Sequence, residues 1–99
     1  LENKMAIEET LKSRKGRYGR ATDNALVSQS LMDVVRHNGP SFKEWSDLHK
    51  MIVQMIFSKI SRMACGDPDY VDNIHDVIGY AKLLENYLID KEKGVPHDN

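Results

Sequence analysis

From Trp45 to Met63 the chain carries apolar side chains at Trp45, Leu48, Ile52, Met55, Ile56, Phe57, Ile60 and Met63. Between Met51 and Ile60 nearly every side of a helix drawn through this segment is apolar. Such a helix is central in a bundle or buried between subunits. With only 99 residues, few architectures can cover it. A four-helix monomer of this size leaves each helix a solvated face, so the segment predicts a homo-oligomer, most simply a two-fold dimer.

The rest of the chain supports the same class. No stretch shows the period-two alternation of a strand, and four segments carry helical spacing. The expected fold is all-α, a small four-helix, bundle-like single domain over residues 1–99. Its helices are placed at about 4–13, 22–37, 41–65 and 68–92, with a flexible tail at 94–99. In the first, Ile7 and Leu11 share a face, and the helix runs out into a loop broken by Gly16 and Gly19. The second opens on Thr22 or Asp23 as N-cap, stacks Val27, Leu31, Val34 and Val35, and stops at Gly39-Pro40. Ser41 and Glu44 form an S-x-x-E capping box for the third, which ends at Gly66. Asp67-Pro68 reads as N-cap and N1 of the fourth, which forms a tight antiparallel hairpin with the third. The core stripe of this last helix is Val71, Ile74, Val77, Ile78, Ala81, Leu84 and Leu88. Leu1 to Lys4, ahead of a Met5-Ala6 start, are left out of the functional reading.

Charge narrows the partners. The 14 Lys and Arg against 15 Asp and Glu leave no whole-molecule field to attract duplex DNA or an anionic membrane. No apolar run approaches the roughly 20 residues of a membrane span, and charges occupy the place of a signal h-region. The single cysteine, Cys65, allows no internal disulfide and no cysteine-based zinc cluster, which fits a cytoplasmic protein.

Near-neutrality conceals segregation. Lys12 to Arg20 holds five basic side chains, two glycines and no acid. Arginine forks match phosphate oxygens, glycines let amides turn toward an anion, and Tyr18 offers a face to a base. The run reads either as a phosphate or nucleotide contact or as a solvated basic loop that complements acids on a neighbouring subunit. An acidic stretch from Asp67 to Asp76 contrasts with it. Asp72 and Asp76, four apart on one helix side, repel unless a cation sits between them. That cation is either Mg²⁺, which accepts one or two carboxylates plus phosphate oxygens, or Lys59 or Arg62 from the end of the third helix. His37, His49, His75 and His97 lack zinc-helix spacing, and no P-loop, nucleophile elbow or dinucleotide fingerprint is present. Cys65 reads as a small buried hydrophobe. Tyr80, one turn beyond Asp76, lines the same face.

Arg14-x-Gly-Arg-Tyr-Gly19, the Trp45 helix, Lys59-Ile-Ser-Arg62, Gly66-Asp67 and Asp72-x3-Asp76-x2-Gly79-Tyr80-Ala81-x-Leu83, in this order, resemble a small helical family encoded mainly by phages and prophages, the nucleotide-modification-associated domain family. The resemblance spans Ile7 to Leu88. That family is loosely similar to the MazG-like all-α nucleoside triphosphate pyrophosphohydrolases, which hold Mg²⁺ on E-E-x-x-E and E-x-x-D motifs. Here Glu8-Glu9 lacks the third acid and Glu44-x-x-Asp47 lies at the start of the third helix, so few carboxylates converge to activate water. The resemblance implies a nucleotide or cyclic nucleotide ligand in an infected or lysogenic host cell. Under the leading expectation, Arg14, Lys15, Arg17 and Arg20 neutralise phosphates, Lys59 and Arg62 add charge, and Tyr18 or Tyr80 stacks on a base. The protein then sequesters a nucleotide immune signal, an anti-defence role without catalysis. Two alternatives stand beside it: a Mg²⁺-dependent pyrophosphohydrolase using Asp72 and Asp76, and a phage inhibitor acting through protein–protein contact.

Overall fold

The computed structural model describes residues 2–96, with side chains from Ala6 onward. Its elements are α1 (Glu2–Tyr18), α2 (Ala21–Asn38), a 3-10 turn (Phe42–Glu44), α3 (Asp47–Cys65) and α4 (Val71–Lys93), with no strand among the described residues. The all-α expectation holds. None of these helices is long and apolar enough to cross a membrane.

Four boundaries differ from the sequence expectation, each for a local reason. The basic run is not a loop, because α1 continues through Gly16 to Tyr18. One glycine inside a helix costs only about 1 kcal/mol, and the Lys and Arg residues around it are good helix formers whose charges suit a helix C-terminus. The break comes at Gly19, which adopts φ +82° while its amide donates to the Lys15 carbonyl at 2.8 Å. In α2, Arg20 is the N-cap residue in place of Thr22 or Asp23, and Asp23 sits in the first turn 3.9 Å from the Arg20 guanidinium. Ser41 precedes the 3-10 turn that Glu44 ends, and the two form no capping box. Trp45 is extended and Ser46 caps α3, its Oγ accepting from the His49 amide at 3.1 Å. Asp67 does not start α4 either. Its Oδ1 accepts from the Asp69 amide at 2.9 Å and its own amide donates to the Arg17 carbonyl at 2.9 Å, so the helix begins only after Tyr70. The end at Gly94 agrees with the expectation: φ is +71°, and the Val95 amide reaches the Asp90 carbonyl as in a Schellman motif. Residues 97–99 of the expected tail, and Leu1, lie outside the described residues.

Helix α3 is the centre of the fold, packed against α4, α2 and the end of α1. Of its apolar side chains Ile52 is buried and Met55, Ile56, Phe57 and Met63 are half-buried, whereas Met51 and Ile60 are exposed. The buried set is small: the apolar Ile52 and Met32 with the polar Ser61, Asn73, Ser28 and Lys59. The expected stripe of α4 is rotated. Val77 and Leu84 are half-buried beside Asp76, Tyr80 and Tyr87, whereas Val71, Ile74, Ile78, Ala81 and Leu88 face outward. Ile7 and Leu11 on α1 are also exposed, each at 60%.

Candidate functional site: a groove between α1, α2 and α3

Two glycines set where α1 ends. A methyl group built on Gly19 would collide with the Cys65 carbonyl, and one on Gly66 with the Arg17 carbonyl. The backbones of α1 and α3 therefore touch at their C-terminal ends, which only residues without Cβ allow. The contact brings the last turn of α1 over the last turns of α3 and the start of α2. An open groove of about 420 Å³ lies there, within the usual size of small-ligand sites.

Arg14, Tyr18 and Arg62 form its charged side. The Arg14 guanidinium carbon is 5.0 Å from the Tyr18 ring centroid and that of Arg62 is 4.5 Å away, so two cations share one phenol ring. Among the described residues no carboxylate lies within 4 Å of either guanidinium. Tyr18 also meets Tyr70 edge-on at 5.8 Å, and Arg17 lies over Tyr70 at 5.5 Å.

The opposite side of the groove is neutral and polar. Asn24, Ser28 and Gln29 from α2 face Gln54, Ser58 and Ser61 from α3. Asn24 ties the corner, its amide donating to the carbonyls of Tyr18 and Arg20 while its Oδ1 accepts from Ser61 Oγ at 2.8 Å. Sequence reasoning missed these residues. Their signal is present all the same, since Gln54, Ser58 and Ser61 are a polar line at i, i+4 and i+7 through the most apolar helix of the chain.

Arg14, Tyr18 and Arg62 are thus gathered in one place, and the other expected site residues are not. Because the basic run is helical, its charges point in several directions. Arg17 lies by a shallow depression on α1, and Lys15 and Arg20 line another with Leu11. Tyr80 borders a third on α4 with Asp76 and Gly79. Lys59, only 8% exposed, is bound to Asp76 with Nζ 2.9 Å from Oδ2. That hydrogen bond, with the charges of Lys59, His75 and Arg62, holds the Asp76 carboxyl below its ordinary range. Asp72 accepts from the Tyr70 hydroxyl at 2.9 Å, which pushes the Tyr70 pKa up. Each carboxylate has a protein partner, and among the described residues no three His, Cys, Asp or Glu side chains gather as a metal ligand set. The Lys59 contact to Asp76 is the ion-pair clamp that the sequence offered as one of the two cations.

Comparison of the chain with protein-family models, with curated proteins and with solved structures gives no match.

Proposed function

We propose that the protein binds a phosphate-bearing nucleotide in the groove between α1, α2 and α3. The observation that carries this reading is the pair of guanidiniums on Tyr18, neither within 4 Å of a carboxylate among the described residues, at the edge of a polar groove. Two cations on one ring leave positive charge at the edge of the groove, and an anion bound there offsets it while accepting charge-assisted hydrogen bonds. Phosphate matches the arginine fork, and the amides of Asn24, Gln29 and Gln54 offer both donors and acceptors to the edge of a base. Tyr18 acts by presenting the two guanidiniums, since both already lie against its ring. The nucleotide class is also what the sequence resemblance implies. In the phage-infected cell of that resemblance, capture without turnover withdraws a nucleotide signal. Among the described residues no three carboxylates converge for hydrolysis to draw on, and Asp76 already pairs with Lys59 and Asp72 with Tyr70.

Calorimetry with mono- and triphosphate nucleotides, cyclic dinucleotides and the parent nucleosides tests the reading. Phosphate-bearing members bind and nucleosides do not. Arg14→Ala and Arg62→Ala each weaken binding by roughly 10- to 100-fold, as expected for a charge-assisted contact of about 1.5–3 kcal/mol. Lys15→Ala, outside the groove, leaves affinity nearly unchanged. No heat from any nucleotide, or undiminished affinity in the two arginine variants, removes the groove as the site.

A further inference from the structure

The outward side of α4 is built like a helix-pairing seam. Val71, Ile74, Ile78, Ala81, Glu85 and Leu88 follow one another at intervals of 3, 4, 3, 4 and 3 residues, the spacing that keeps side chains on the contact line of two packed helices. Five of the six are apolar, and all six are exposed, Val71 at 67% and Ile78 at 63%. The seam runs about 26 Å along α4. Nothing within the described chain covers it.

The molecule is also more open than a compact monomer of its size. It exposes 7356 Å², whereas a compact chain of 11.3 kDa exposes about 5,700 Å². Its radius of gyration is 16.7 Å, against about 12.6 Å for a compact fold of this length. The excess area of roughly 1,600 Å² exceeds the approximately 800 Å² per partner that a standard stable interface removes from solvent.

We infer that the outward seam of α4 pairs with the same seam of a second copy, antiparallel, in a two-fold dimer. A surface that meets itself must be self-complementary, and the seam is so about a centre between Ile78 and Ala81. Antiparallel pairing sets Ile78 against Ala81 of the partner subunit, Val71 against the partner's Leu88 and Glu85 beside the partner's Ile74 and His75. Parallel pairing in register would set the Glu85 carboxylates of both copies against each other, which disfavours it. Opposed helix macrodipoles favour the antiparallel arrangement further. The inference is independent of the nucleotide reading, since the groove lies at the junction of α1, α2 and α3.

Sedimentation equilibrium of the full chain, with cysteine cross-linking in a Cys65→Ala background, tests it. A dimer mass is expected for the parent protein, and Ile74→Glu/Ile78→Glu gives a monomer that keeps a helical far-UV spectrum. Val71→Cys and Leu88→Cys proteins cross-link to each other on oxidation when mixed, and neither cross-links with itself. Should the double glutamate variant fail to fold, the mixed cross-link still decides. A monomer mass for the parent, or Leu88→Cys cross-linking with itself, overturns the proposal.

Discussion

The two ends of α3 use the same residue types to different effect. At its N-terminal end, Phe42 and Trp45 lie 5.1 Å apart and Trp45 stacks on His49 at 4.4 Å, with Arg36 and Lys50 over the outside of Phe42. Arg36 is neutralised there by Asp33 at 2.7 Å. At its C-terminal end, Tyr18 carries two guanidiniums, neither within 4 Å of a carboxylate among the described residues, beside a line of hydroxyls and amides. Cations on rings close the first end; at the second they leave positive charge facing a groove. Two guanidiniums on one ring beside an open groove, and not aromatic content, distinguish a candidate anion site from a packed corner.

The sharpest way to break this contrast is to separate the C-terminal crossing. Gly19→Ala combines a left-handed φ with a collision against Cys65 and should lower stability by about 2–5 kcal/mol, shifting the melting temperature by on the order of 10 °C or more. A thermal melt followed by circular dichroism measures it. An effect as small as a surface substitution would mean that α1 does not rest on α3 as described.

Ligand binding comes next in size. Arg36→Ala and Lys50→Ala, at the N-terminal end, should not alter nucleotide affinity, while Arg14→Ala and Arg62→Ala weaken it at least about tenfold. Equal losses at both ends would erase the distinction between them.

The two ends should also respond to different pH ranges. Desolvation, with the charge of Lys91 in second place, lowers the His49 pKa below its ordinary value of 6.5. The unfolded chain then binds a proton more readily than the folded one, so the stability from a neutral His49 is complete above pH 6.5 and is lost as pH falls through the lower folded value. Asp76 follows the same sign in acid. Its contribution is complete above its ordinary value of 3.8 and disappears as pH falls through the lowered folded value. His49→Gln should flatten the first loss and Asp76→Asn the second, in melts recorded from pH 3 to pH 8. Asp76→Asn should also lower stability at neutral pH, because it strands the Lys59 ammonium in a buried position.

The smallest effect should come from Gly16→Ala. A Cβ there meets nothing within 4 Å, and inside a helix the change should stabilise by about 0.5–1 kcal/mol. A loss instead would return the basic run to a loop, with its charges free to converge.

Much of the fold is legible in the chain because its signals are local. Helical periodicity, the stop at Gly39-Pro40, the end of α3 at Gly66 and the Gly94 cap depend on neighbours within a turn or two. Sequence and structure part where a long-range contact overrides a local motif. Asp67 carries an N-cap signal, yet its amide goes to Arg17 on another helix. The stripe on α4 reads as core in the sequence because apolar spacing shows that a face exists and not which neighbour covers it.

The candidate site divides in the same way. That Arg14 and Tyr18 share a face of α1, and that Gln54, Ser58 and Ser61 share a face of α3, is set by 3.6-residue periodicity and so by sequence alone. Which faces meet was decided by Gly19 and Gly66, whose missing side chains let two backbones touch and bring Arg62 to Tyr18 across 44 residues of chain. Periodicity is a property of one helix, whereas the convergence of charges depends on how helices cross, and that emerges only when their surfaces pack.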